Sequence, residues 1–118
     1  MSKLQRREEN LETVKAYEAK CVERHQKALA EAHEAEAQVE IAREAYVIEP
    51  TDTNAKSISV ARERAELAQL RCQKPAQTLA DARASVVAAE QALETAREAA
   101  RSAARRGLLP PKLERPGP

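Results

Sequence analysis

Cys21 and His25, two side chains able to bind a metal, stand four residues apart, and on a helix that spacing puts both on one face. A closed zinc centre needs about four such ligands at about 2.0–2.3 Å. His33 falls outside the apolar column that holds Cys21 and His25. The helix pairing derived below sets Cys72 level with Ala32, roughly 16 Å along the axis from Cys21. No metal site is expected, and His25 reads as a polar residue that fixes pairing. Two cysteines so far apart make no disulfide framework and are expected as reduced thiols, buried as small apolar residues.

Glu18 lies in the same column and could serve as one half of an acid/base pair, but no second carboxylate faces it. Its stem can pack while its carboxylate reaches water, and one polar residue in a helical seam sets the register. There is no phosphate loop, nucleophile elbow, metalloprotease helix or paired-cysteine motif, and Gly107 and Gly117 are the only glycines. The chain is therefore expected to be no enzyme and to carry no cofactor. Arg97, Arg101 and Arg105 form a basic stripe at four-residue spacing that could touch phosphates. Without interleaved aromatics, it equally suits a solvated helix end that offsets the helix dipole.

The elements that must position these residues follow from composition. Half of the apolar residues are alanine, Phe and Trp are absent, and Tyr17 and Tyr46 are the only aromatics. One buried methyl contributes only about 0.8 kcal/mol, so any core is thin. Alanine with abundant Glu, Arg, Gln, Lys and Leu is the composition of long helices or a coiled coil.

Alternating steps of three and four residues pick out Leu11, Val14, Glu18, Cys21, His25, Ala28, Ala32, Ala35, Val39, Ala42 and Tyr46, apolar at all but two positions. This is a heptad seam. It extends back to Leu4 and stops at Ile48-Glu49-Pro50, because proline disfavours helix at the preceding residue. Thr51, Asp52, Thr53 and Asn54 can each cap a new helix; Asp52 or Thr53 is the expected cap. The same spacing then gives Ile58, Ala61, Ala65, Ala68, Cys72, Pro75, Leu79, Ala82, Val86, Ala89, Leu93, Ala96, Ala100 and Ala103, every one apolar or proline.

Pro75 sits in this second seam without shifting its phase, and its neighbours Gln73, Lys74, Ala76 and Gln77 offer no turn residue. The sequence predicts one helix bent near residues 71–75, with Pro75 against the small side chain of Ala28. The alternative is a three-helix bundle broken at Pro75, since proline also favours the first turn of a helix. Arg101, Arg105 and Arg106 suit a helix end, Gly107 the left-handed position after it, and Pro110-Pro111 cannot continue it.

The expected fold is thus all-α, a long antiparallel two-helix coiled-coil hairpin. Its helices span about 2–48 and about 53–106 and are roughly 70 and 80 Å long. Residues 1–106 form the hairpin and 107–118 an extended, proline-rich tail. The seams match where paired positions sum to 103 or 104, so Tyr46 meets Ile58, Val39 meets Ala65, Ala32 meets Cys72, Ala28 meets Pro75 and Leu11 meets Leu93.

Val22, Leu29, Val60, Leu67, Leu70 and Val87 fall outside the seams and form part of a second apolar surface. An alanine-layered pair buries little against a cost of about 1–2 kcal/mol for ordering each residue's backbone, so a partner must cover that surface. Leu108, Leu109 and Leu113 among prolines suit a peptide that docks into another protein's groove. The expected function is a structural or assembly protein, a homo-oligomer or part of a larger multi-copy complex. A virion or a secretion apparatus would suit it.

Two further functions stay open. Net charge is +1, but residues 31–49 hold six glutamates against Arg43, while 97–115 hold six cations against two glutamates. A long antiparallel hairpin with an acidic tip, here Glu49 and Asp52, resembles the secondary-channel transcription factors. That resemblance covers the tip and overall shape, and it implies a regulator whose tip inserts into a partner such as transcription machinery. Nucleic-acid binding through the Arg97–Arg101–Arg105 stripe is the other. No stretch approaches the roughly 18 apolar residues of a membrane span, and Met1 to Asn10 lacks a signal's apolar segment, so a cytoplasmic or assembly-incorporated protein is expected.

Overall fold

The computed structural model of the chain describes residues 2–108, all of whose secondary structure is helical. Three helices follow one another: α1 (Lys3–Ile48), α2 (Asp52–Arg71) and α3 (Gln73–Leu108). The contacts divide into two units. One joins the residues up to Glu18 with those from Ala82 onward, and the other is Ala19–Asp81.

The start of α1 is a reciprocal capping box. The Ser2 hydroxyl accepts from the Gln5 amide at 3.1 Å, while the Gln5 side chain accepts from the Ser2 amide at 2.9 Å. Two donors that a helix start leaves unpaired are thereby satisfied.

At the other end of α1 the chain turns within Glu49, Pro50 and Thr51. Thr51, not Asp52 or Thr53, is the cap of α2: its backbone is extended (φ −103°, ψ 162°) and its hydroxyl accepts from the Asn54 amide at 3.1 Å. All four residues from Thr51 to Asn54 have cap chemistry, and the tightness of the turn selects the first. Asp52 and Thr53 become helical residues, with the Asp52 carboxylate in the first turn, where the helix dipole favours it. Asn54 closes the turn from the opposite side. Its amide donates to the carbonyls of Glu49 (2.7 Å) and Ala45 (3.3 Å), supplying partners for the open end of α1.

Around Pro75 the helical pattern lapses for one residue. Cys72 alone separates α2 from α3, and it keeps right-handed helical angles (φ −78°, ψ −21°). The Cys72 amide bonds Gln69 three residues back (3.1 Å), and Ala76 returns to four-residue spacing on Cys72 (3.0 Å). The physical cause lies at Pro75, which has no N–H to give the Arg71 carbonyl. Pro75 itself occupies the first turn of α3, where that loss is best tolerated. A new helix begins at Gln73, but Cys72 does not leave the helical region to reverse the chain.

The core is the seam. All the buried hydrophobic residues, Leu11, Cys21, Ala32, Val39, Ala61, Ala65, Ala68, Leu79, Ala82, Val86, Ala89 and Leu93, belong to the two predicted columns. In the first unit Leu11 packs with Val86, Ala89 and Leu93, flanked by Leu4 and Val14. In the second, Val39 packs with Ala61 and Ala65, flanked by Ala35 and Ala42. Leu11 with Leu93 and Val39 with Ala65 are the expected pairs, and in each unit the strands of helix run antiparallel. At Cys72 the register differs: its thiol donates to the Ala28 carbonyl at 3.3 Å, one turn from the expected Ala32.

The end of α3 also differs from expectation. Helix continues through Gly107 to Leu108, and no glycine among the described residues has a positive φ, so Gly107 is no left-handed cap. Arg105 and Arg106 in the last turn already offset the dipole there, and a helical glycine costs only about 1 kcal/mol. Leu109, Leu113 and the remainder of the expected tail lie outside the described residues.

Candidate functional site

Cys21 is 1% exposed and His25 half-buried in the seam of the second unit. Among the described residues no group of three or more His, Cys, Asp or Glu is placed to hold a metal ion. Glu18 is half-buried at its seam position, its neighbours in the column being Val14 and Cys21. The Cys72 thiol is engaged by the carbonyls of Ala28 and Ala68 (3.3 and 3.4 Å).

The chemistry on offer is therefore that of surfaces. Leu29, Val60, Leu67, Leu70 and Val87 are exposed, and Val22 is half-buried. They do not form one surface. Val87 belongs to the first unit and the others to the second. Within the second unit, Leu70 shares a groove with Glu36 and Gln69, which are bonded across the pair at 3.1 Å. Val60 lies in a groove on a different part of the pair, with Ile41, Gln38, Ala45, Ser57 and Arg64. Val22 and Leu29 stand fourteen and seven residues before Glu36, so they follow its column, as residues seven apart are rotated by only about 20°.

Four exposed residues were not part of that expected surface: Tyr17, Ile41 at 57%, Val47 at 80% and Ile48 at 84%; Tyr46, expected in the seam against Ile58, is exposed too, because the seam ends there at the turn. The signal was present, since Val47 and Ile48 are consecutive apolar residues just outside the seam and directly before Glu49-Pro50. With them, the tip that carries exposed Glu49 and Asp52 is as apolar as it is acidic.

The arginine stripe is partly engaged. Arg101 pairs with Glu94 at 3.0 Å, Arg105 reaches the Ser102 hydroxyl at 3.4 Å, and Arg97 lines a groove with Glu8, Glu12, Glu90 and Glu94. No helix among the described residues is long and apolar enough to cross a membrane. No protein-family model matches the chain, no curated protein is significantly similar to it, and no solved structure matches it. The class these features define is an all-helical protein built on an alanine-rich seam.

Proposed function

We propose that the chain is a non-enzymatic structural or assembly protein, a coiled-coil hairpin that mediates protein–protein contacts in a homo-oligomer or a larger multi-copy complex. A cytoplasmic setting, or incorporation in an assembly such as a virion, belongs to the same proposal. The observation that supports it most is the contrast between core and surface. Nine of the twelve buried residues are alanine, cysteine or valine, whereas ten large hydrophobics are exposed, Val47 and Ile48 almost completely. Burial of a large aliphatic side chain is worth about 1.5–3 kcal/mol, so a partner that covers several of them gains more than a further alanine layer could. Light scattering combined with crosslinking mass spectrometry tests this. A mass above the monomer, or specific crosslinks to a partner, is expected; a compact monomer with no crosslinked partner would count against it.

A regulator that inserts its tip into a partner is the second proposal. It is favoured by the pairing of Val47 and Ile48 with Glu49 on a turn held from both sides by Thr51 and Asn54. Glu49→Ala with Asp52→Ala should abolish partner capture on this proposal and leave an assembly role intact. Nucleic-acid binding has less support, because the carboxylates beside Arg97 and Arg101 already offset their charge. A gel shift at low salt that vanishes as salt rises would restore it.

A further inference from the structure

We infer that one side of the Ala19–Asp81 unit, carrying Ile41 and Ile48 on α1 and Val60 and Leu67 on α2, is the face on which a second copy of this chain docks, parallel and related by a two-fold axis. The inference rests on the homo-oligomer proposal above and gives it a face. Ile41 and Val60 line the same groove, which fixes the side of the pair they occupy. Ile48 stands seven residues after Ile41, and Leu67 seven after Val60, so each extends its own column along that side. Four of the ten exposed large hydrophobics thus share one heptad position on one side of one unit, at 57%, 84%, 45% and 51% exposure.

Size agrees with an interface. These four side chains leave roughly 400 Å² of apolar surface bare, within the range of functional patches. A standard interface covers about 800 Å² per partner, of which somewhat over half is apolar.

Charge selects the occupant and its direction. Between and beside the apolar residues, the α1 columns on this side hold Glu31 and Glu34 and no cation between Glu31 and Ile48; Arg24 and Lys27 follow only past Glu31, Arg24 beside Arg71 and Lys74. The α2 columns hold Arg64, Arg71 and, just past the one-residue lapse, Lys74, and within these two columns there is no carboxylate; Glu63 and Glu66 stand in other columns. Arg64, Arg71 and Lys74 make no ion pair or side-chain hydrogen bond among the described residues. Face-to-face packing about a two-fold axis parallel to the helices lays α1 of each copy on α2 of the other, acidic column on basic column, and does so twice. An antiparallel pair would instead lay α1 on α1 and α2 on α2, and so bring no carboxylates of one copy onto the cations of the other. The product is a four-helix bundle in which the two turns lie at the same end.

Sedimentation equilibrium of the full chain at tens of micromolar tests the inference. A dimer is expected that weakens at least tenfold in Leu67→Glu and in Arg71→Glu/Lys74→Glu, each checked by circular dichroism to be folded. Glu31→Lys/Glu34→Lys should weaken it similarly, and combining both charge reversals in one chain should restore it. Spin labels on Glu49→Cys should lie within about 30 Å of each other in the dimer, given a bundle about 20 Å wide. A dimer indifferent to these variants but lost in Leu29→Glu/Leu70→Glu overturns the face and leaves the oligomer proposal standing. Widely separated labels overturn the parallel arrangement. A monomer at every concentration overturns both the face and the homo-oligomer.

Discussion

The thiol of Cys72 lies 3.3 Å from the backbone carbonyl of Ala28, at the one residue that separates α2 from α3. A side chain from one helix here meets the backbone of the other. Such an approach needs a small residue on the facing helix, and the alanine at position 28 provides it.

That closeness makes position 72 intolerant of bulk. Cys72→Leu should destabilise the protein by about 1–3 kcal/mol through overpacking, read from the urea midpoint. Cys72→Ala should cost about 1 kcal/mol, the worth of a weak buried hydrogen bond and a small side chain.

The thiols should be inert in the native protein. Cys21 is 1% exposed and Cys72 half-buried and hydrogen-bonded, so a thiol reagent should label both much more slowly than in denaturant. Rapid native labelling of Cys21 would mean that its seam layer opens readily.

Pro75→Ala restores an N–H for the Arg71 carbonyl. Because Pro75 already sits in the first turn of α3, the expected gain is about 1 kcal/mol, below the roughly 3 kcal/mol of a mid-helix proline. A gain of the full mid-helix size would show that the lapse at Cys72 relieves none of the clash.

At the turn, Asn54→Ala should cost about 1–2 kcal/mol, since it removes the donor to both Glu49 and Ala45. Thr51→Ala should cost about 1 kcal/mol and Thr51→Asp almost nothing, whereas Asp52→Ala should cost only a few tenths. If Asp52→Ala proved the costlier change, Asp52 rather than Thr51 would be the cap in solution.

In the seam, Leu93→Ala should lose about 2–4 kcal/mol, because Leu93 is 4% exposed and packs with Leu11 and Val86. Ala84→Leu, on the exposed face of α3, should be within about 0.5 kcal/mol of wild type by the same measurement.

Much of this architecture was legible because burial in a helical pair follows one periodicity. Leu11, Val39, Ala65, Val86 and Leu93 could be placed in the core, and two pairs in register, from spacing alone. Thr51 was missed since four adjacent residues share cap chemistry and only the turn's geometry distinguishes them. The Ser2–Gln5 box is legible in the sequence as Ser-x-x-Gln at the first helical turn. Leu70 and Val60 could not be separated from sequence, because spacing shows that a residue leaves the seam but a shared groove shows toward which side. Gly107 misled for a different reason: a glycine can end a helix, but nothing obliges it to.

The Asn54 clasp also orders events in time. It joins residues nine apart, whereas the Glu36–Gln69 bond spans 33 and the Ala28–Cys72 bond 44. Closing a short loop is entropically easier, and each later closure begins from the one before it. The second unit should therefore zip from its turn outward, with Asn54→Ala slowing refolding and Cys72 substitutions mainly hastening unfolding.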